Sequence, residues 1–184
     1  MAKSLNLFKC LGLVLVMVLV TSCGESDPAK QFELGDNYYY GLDVEQDYKK
    51  AVEWYTKAAK QGYAEAQHKL AECYYYGDGV EENYEQMLYW VKQSAAEGYP
   101  AAQYWLGRLF YDGDCDVPQS YERGAHWIEK AAIQGNVYAQ YDLGICYEEG
   151  TGVEQDDEQA ASWMEKAAEQ GHEGAIEWLR NNGY

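Results

Sequence analysis

Basic residues are scarce in this chain of 184 residues. Its 14 Lys and Arg stand against 31 Asp and Glu, which gives a formal net charge of −17 at pH 7. Because like charges repel, nucleic acid and anionic lipid headgroups are poor partners, and a basic protein or peptide fits better. Aromatic residues make up 15% of the sequence, too many for a disordered acidic tail. The composition therefore indicates a folded protein that does not bind nucleic acid.

Cysteine is also sparse, which excludes a disulfide scaffold. Two of the five cysteines, Cys10 and Cys23, belong to an apolar N-terminal segment, and Cys73, Cys115 and Cys146 remain. An odd number of thiols allows at most one intramolecular bridge in an oxidising compartment. Whether Cys115 and Cys146 form that bridge stays open at the level of the sequence.

Motifs of catalysis and metal binding are lacking as well. The chain has no Ser followed three residues later by Lys, no Gly-x-Ser-x-Gly, no His-Glu-x-x-His and no phosphate-binding glycine loop. His68 and Glu72 are four residues apart, as two metal ligands on one helix would be, but a site needs at least a third ligand. We therefore predict no catalytic residue, metal or cofactor. A hydrolase, including one that acts on β-lactams, is the least favoured function.

Long apolar runs are lacking except at residues 10–20, which follow Lys3 and Lys9. The run has the length of a signal-peptide core and is short for a membrane span. It ends in Val20-Thr21-Ser22-Cys23, which resembles the bacterial lipobox. The resemblance implies that residues 1–22 are a signal peptide and that Cys23 carries diacylglycerol and an acyl chain such as palmitate. An ordinary secretory signal or an uncleaved anchor is the alternative.

The lipobox also implies a location. Residues 23–31 would be a lipidated polar tether, and the protein would lie in the bacterial cell envelope, held to the membrane only through its lipid. Gly24 follows the cysteine where Asp would signal retention in the inner membrane, so the outer membrane is favoured. The periplasmic or surface side stays open.

The rest of the chain is repetitive. Leucines recur at intervals of 36, 36, 37 and 36 residues, and glycine, tryptophan and alanine columns keep the same register. Each unit predicts two amphipathic helices, called helix A and helix B. Helix A is expected over about 31–40, 65–76, 101–111 and 138–148. We expect it to end at Gly41, Gly77, Gly113 and Gly150, and helix B to begin after the N-caps Asp47, Asn83, Ser120 and Asp156.

This pattern resembles the Sel-one-like repeat family, a relative of tetratricopeptide repeats. The fourth unit carries it most fully, from Ala139, Leu143-Gly144 and Tyr147 through Gly152-Val153 to Trp163 and Lys166-Ala167-Ala168. The resemblance implies an all-α fold, a right-handed αα-superhelix, over residues 32–184. The repeats would span 32–63, 64–99, 100–136 and 137–172, with a capping helix in 173–184. The third unit departs most, with one extra residue in 114–118 and Gly124 in place of alanine.

Tyrosine is the feature that the repeat pattern does not explain, since the chain has nineteen. In tetratricopeptide-like arrays the inner face is lined by helix A positions two before the pattern leucine and two, five and six after it. Transferred to this chain, those positions are rich in tyrosine, which recognition surfaces favour. The predicted groove contains Tyr39, Tyr40, His68, Glu72, Tyr75, Tyr76, Tyr104, Arg108, Tyr111 and Tyr141.

The groove predicts a non-enzymatic interaction protein that holds an extended peptide or a segment of a partner protein. Arg108 is expected to be the one cationic anchor of an otherwise acidic inner surface. One alternative is that the tyrosine rings pack between helices and bind nothing. A second is that exposed rings and carboxylates bind an envelope glycan or peptidoglycan.

Overall fold

The computed structural model describes residues 26–184, which form nine α-helices and no strand. The predicted signal peptide and residues 23–25 of the tether, Cys23 included, lie outside the described residues. The first helix already begins at Pro28, within the predicted tether, because Asp27 caps it and proline is favoured in the first helical turn. The helices are α1 (Pro28–Tyr40), α2 (Tyr48–Ala59), α3 (Ala64–Tyr76), α4 (Tyr84–Ala96), α5 (Pro100–Asp112), α6 (Tyr121–Ile133), α7 (Val137–Glu149), α8 (Asp157–Glu169) and α9 (Glu173–Asn182).

The helices form a one-dimensional array. Each packs against the helices before and after it in the chain, so that α1, α3, α5 and α7 are helix A and α2, α4, α6 and α8 are helix B of four repeats. The pattern leucines Leu70, Leu106 and Leu143 are buried between them. The predicted all-α solenoid of four helix pairs and a C-terminal helix is confirmed.

Each helix B begins, and each helix A ends, where the sequence predicts it. The side chains of Asp47, Asn83, Ser120 and Asp156 each accept a hydrogen bond from the backbone N–H three residues on. The glycine after each helix A has φ between 69° and 76°, the left-handed conformation that glycine adopts most readily. The start of each helix B and the end of each helix A are thus encoded locally.

Close packing within a repeat depends on a small residue on helix A. A Cβ atom added to Gly107 would lie 2.7 Å from Ile128 Cγ1 and 2.9 Å from the Ile128 backbone nitrogen. Gly144 lies in the same way against Met164. Repeat two has Ala71 at this place, and the residue equivalent to Ile128 is the smaller Val91. The extra methyl group is therefore matched by a smaller partner.

A ladder of buried glutamines on helix A joins each repeat to the one before. The Nε2 atoms of Gln67, Gln103 and Gln140 donate to backbone carbonyls at the end of the preceding helix B, over 3.1 to 3.2 Å. In repeats one, three and four, a second glutamine, which follows helix B, donates a hydrogen bond of 2.7 Å to the Oε1 atom of the buried glutamine on helix A. These pairs are Gln61 to Gln31, Gln134 to Gln103 and Gln170 to Gln140.

Repeat two breaks this ladder. Glu97 takes the place of the second glutamine, and a carboxylate has no proton to donate. The buried Oε1 atom of Gln67 accordingly accepts no hydrogen bond from any residue between 26 and 184.

The loop of the third repeat keeps its cysteine apart from the others. Cys115 and Asp116 have φ of 53° and 60°, and they replace the loop glycine, Gly79 in repeat two and Gly152 in repeat four, whose φ is 75° and 76°. Cys115 packs on the core shared by repeats two and three, whereas Cys146 lies in the core shared by repeats three and four. Cys73, Cys115 and Cys146 are all free thiols, so the bridge left open by the sequence is not formed.

Candidate functional site

Helices α3 and α5 and the start of α7 enclose a hollow of about 440 Å³ on the helix A face of the array. Six residues of the predicted groove meet in it: His68, Glu72, Tyr75, Tyr76, Tyr104 and Arg108. Four further lining residues were not predicted: Ala101, Trp105, Asn136 and Tyr138. We call these ten residues the hollow.

Trp105 organises the aromatic wall of the hollow. Its ring meets the ring of Tyr75 edge-on, with centroids 5.6 Å apart, and the ring of His68 edge-on at 5.5 Å. Edge-to-face pairs of this kind fix ring orientation. Tyr76 and Tyr138 stand at the mouth with 64% and 59% of their surfaces exposed. The hollow therefore combines a fixed aromatic wall with two accessible phenol rings.

His68 lies at the base of this wall. Its Nε2 atom is 3.5 Å from Glu72 Oε1, and its Nδ1 atom is buried without a hydrogen-bond partner among the described residues. Burial lowers the pKa of the imidazole below its usual value, and the opposing effect of Glu72 is smaller. His68 is therefore neutral at pH 7 and acts as part of the aromatic wall.

The cations beside the hollow are already paired with carboxylates. Arg108 Nη1 is 3.0 Å from Asp142 Oδ2, and Arg108 Nη2 is 3.0 Å from Asp112 Oδ2. Lys69 Nζ lies 2.8 Å from Glu72 Oε2 and 3.3 Å from the hydroxyl of Tyr40. The sequence predicts Arg108 as the one cation of this surface, but Lys69 is a second. The charge of Arg108 is compensated by two carboxylates, Asp112 and Asp142.

Several predicted groove tyrosines make contacts between helices, and two of them join neighbouring repeats. The Tyr39 hydroxyl donates to Asp78 over 2.6 Å, and the Tyr104 hydroxyl donates to Asp142 over 2.9 Å. Burial, followed by the neighbouring carboxylate, raises the pKa of both phenols. Tyr141 stacks on His172 with ring centroids 4.3 Å apart. At these places the alternative of rings packed between helices describes the structure.

The other two predicted tyrosines lie apart from the hollow. Tyr40, at the end of α1, is 52% exposed. Tyr111 meets Tyr121 edge-on at 5.0 Å and faces a smaller depression beside Arg108. Of the ten predicted groove residues, six thus line the hollow, and Tyr39, Tyr40, Tyr111 and Tyr141 lie outside it.

One signal in the repeat could have identified Trp105. The residue directly before the pattern leucine is Glu33, Lys69, Trp105 or Asp142, and the last three all contact groove residues. This position was not among those transferred from tetratricopeptide-like arrays. Tyr138 and Asn136 belong to the start of α7, which only the stacking of the fourth repeat brings to the hollow.

Within residues 26–184, no group of three His, Cys, Asp or Glu side chains is arranged to hold a metal ion. None of the helices α1 to α9 is long and apolar enough to cross a membrane.

The chain matches the model of the Sel1 repeat at residues 31–63, 64–99, 100–136 and 137–172. A Sel1 repeat protein from Oxalobacter formigenes is 37% identical, over 90% of this chain and 48% of that chain, with a TM-score of 0.83. The protective antigen c5321 of uropathogenic Escherichia coli, which displays an SLR fold, is 33% identical over 91% of this chain and 36% of its own, with a TM-score of 0.81.

The present chain therefore spans less than half the length of these two proteins. Cysteine rich protein B of Helicobacter pylori shares the fold, with a TM-score of 0.58. It is 23% identical over 76% of this chain and 99% of its own. None of the functionally curated proteins matches the chain.

Proposed function

Because the chain belongs to the Sel1 repeat family, whose repeats generally mediate protein–protein interaction, we propose that it holds a segment of a partner protein in the hollow. The fold is typically a non-catalytic scaffold, and we propose the same role here. The observation that carries the proposal is the fixed aromatic wall around Trp105, with the exposed rings of Tyr76 and Tyr138 at its mouth.

Aromatic side chains suit this task for two reasons. A ring held by edge-on neighbours loses little conformational entropy when a ligand packs on it, and a phenol supplies a hydroxyl for a backbone carbonyl. The volume of about 440 Å³ accommodates a few side chains of an extended segment. The net charge of −17 favours association with a segment that carries positive charge.

We also propose that the protein is anchored in the bacterial envelope through lipid on Cys23. The proposal rests on the sequence Val20-Thr21-Ser22-Cys23 after the apolar run. Mass spectrometry of the membrane-extracted protein should find an N-terminus at acylated Cys23, and Cys23→Ser should release the protein from the membrane fraction. An unmodified Cys23 in membrane-extracted protein would contradict this anchor.

Photocrosslinking tests the proposed binding. A photoreactive p-benzoylphenylalanine is placed at Tyr138, at the mouth of the hollow, and in a matched control at Tyr89, which is 50% exposed on α4. We expect irradiation of living cells to yield a discrete protein adduct from position 138 and not from position 89, with the crosslink mapped to one segment of the partner.

Two outcomes would contradict the proposal. Adducts at position 138 that consist of glycan would favour the peptidoglycan alternative, and a pattern identical at positions 138 and 89 would show that the hollow has no particular role.

A further inference from the structure

Exposed tyrosines recur along the edge of the array where helix A ends and helix B begins. They are Tyr40 and Tyr48 in repeat one, Tyr76 and Tyr84 in repeat two, and Tyr121 in repeat three, with exposed fractions of 38% to 64%. We call this row the tyrosine edge. It adjoins the hollow at Tyr76 and extends beyond it over three repeats.

A second tier of tyrosines supports this edge. Tyr39, Tyr75 and Tyr111 lie beneath Tyr48, Tyr84 and Tyr121, with ring centroids 5.0, 5.9 and 5.0 Å apart. The hydroxyls of Tyr48 and Tyr121 also accept hydrogen bonds of 3.1 Å from glutamine side chains in the preceding loops. The outer rings are therefore held in place before any ligand arrives.

The edge begins to change its chemistry at Asp112 in repeat three, which is paired with Arg108, and the change is complete in repeat four. Repeat two carries Tyr75, Tyr76 and Tyr84 along the edge, and the equivalent residues of repeat four are Glu148, Glu149 and Asp157. Glu148 accepts a hydrogen bond from Trp178, whereas Glu149 and Asp157 are exposed. A ligand that lies along the edge meets phenol rings first and carboxylates last.

The spacing of the rings indicates the conformation of such a ligand. Neighbouring helices A lie side by side, as the contact between His68 on α3 and Trp105 on α5 shows, so equivalent rings recur at roughly 10 Å, the distance between packed helices. A polyproline II helix repeats every three residues, or about 9 Å. An α-helix presents the same face at a similar distance, but its backbone carbonyls are hydrogen-bonded within the helix. The carbonyls of a polyproline II helix are free to accept hydrogen bonds from tyrosine hydroxyls.

We propose that the tyrosine edge binds a proline-rich segment in the polyproline II conformation, with basic residues at the end that lies on repeat four. Proline rings pack on the phenol faces of repeats one to three, as in other aromatic-lined sites for such segments. Lysine or arginine side chains pair with Glu149 and Asp157. This inference rests on the proposed function and specifies the chemistry of the partner segment.

Fluorescence anisotropy with two labelled peptides and the purified full chain tests the inference. One peptide has about nine prolines, enough for roughly three turns, followed by lysines. The other has glycine and serine in place of the prolines and the same lysines. We expect saturable binding of the proline peptide with at least a tenfold smaller Kd than that of its flexible counterpart.

Matched variants locate the binding. The double variant Tyr48→Ser, Tyr84→Ser should weaken binding by about tenfold, in line with the loss of two ring contacts. The control Tyr89→Ser, on an equally exposed ring away from the edge, should leave the Kd unchanged. The double variant Glu149→Gln, Asp157→Asn should weaken binding and reduce its dependence on salt. Circular dichroism must show the same helicity for every variant.

Equal affinity for the two peptides would overturn the inference, because charge alone would then explain binding. A Tyr89→Ser variant as weak as the double variant would overturn it as well, and so would the absence of saturable binding. If the hollow still crosslinks to a protein segment through position 138 in any of these cases, the proposed function stands and only the polyproline edge is rejected.

Discussion

At the scale of the residue, Glu97 is the clearest departure from the repeat. The other repeats place Gln61, Gln134 or Gln170 there, and each donates to a buried glutamine oxygen. We predict that Glu97→Gln completes the ladder and raises the free energy of unfolding by about 1 kcal/mol, the usual net contribution of a hydrogen bond. Urea unfolding followed by circular dichroism measures the change.

The reverse substitution is the matched control. Gln134→Glu removes the donor to Gln103 Oε1 and should lower the free energy of unfolding by about 1 to 2 kcal/mol, because a buried acceptor loses its partner. If both variants unfold like the parent protein, the ladder contributes nothing to stability.

His68 should make stability depend on pH. Burial lowers its pKa in the folded state below the usual value of about 6.5, while Glu72 opposes and Lys69 adds to this shift. As the pH falls, His68 takes up its proton at a higher pH in the unfolded chain than in the folded protein. Protonation therefore favours the unfolded chain, and the free energy of unfolding declines below about pH 6.5. We predict that His68→Phe loses less unfolding free energy between pH 7.5 and 5 than the parent protein does.

His126, which is exposed on α6, provides the control for this measurement. His126→Phe should follow the pH profile of the parent protein. An equal loss of stability on acidification in the His68 variant would show that the imidazole is not the group responsible.

At the scale of the element, the helices could be predicted because local residues mark where each helix B starts and where each helix A ends. The N-cap residues and the glycines after helix A are fixed by local chemistry, and each side-chain cap bond found in helix B joins residues three apart. The left-handed pair Cys115 and Asp116 could not be predicted in this way, since neither residue type requires that conformation.

The small residue on helix A sets the distance between the two helices of a repeat. We predict that Gly107→Ala destabilises the protein by about 1 to 3 kcal/mol, because the new methyl group meets the backbone of α6 at Ile128 as well as the branched side chain of that residue. Thermal unfolding measures the loss.

Gly144→Ala is the comparison at the equivalent place. Its methyl group would meet the flexible end of Met164, 2.9 Å away at Cε, and alanine favours the helix by about 1 kcal/mol over glycine. We expect this variant to be near neutral. A loss as large as that of Gly107→Ala would show that backbone contact is not the deciding factor.

At the scale of the whole molecule, the face that carries the site could be predicted, but the composition of the site could not. The register of the repeat places His68, Glu72, Tyr75, Tyr76, Tyr104 and Arg108 on one side of the array, and there they line the hollow. Which rings contact one another depends on how repeats stack, and no single column of the repeat encodes this. For that reason Tyr138 could not be predicted, whereas Trp105 occupies the column directly before the pattern leucine.

The pairing of charges has the same origin. Asp142 lies on α7, and it reaches Arg108 and Tyr104 on α5 only because the two helices lie next to each other. The sequence predicts an acidic surface with one cation, whereas the folded array joins that cation to carboxylates from two repeats. Contacts between repeats therefore decide which groups remain available to a partner.

The affinity of the crosslinked partner segment, measured by calorimetry as a synthetic peptide, tests the central claim most directly. We predict that the double variant Tyr76→Ala, Tyr138→Ala binds it at least tenfold more weakly than the parent protein, a loss of about 1.4 kcal/mol. The control Tyr89→Ala, Tyr184→Ala removes two equally exposed rings outside the hollow and should bind like the parent protein. Equal affinities for all three proteins would contradict the claim that the hollow is the binding site.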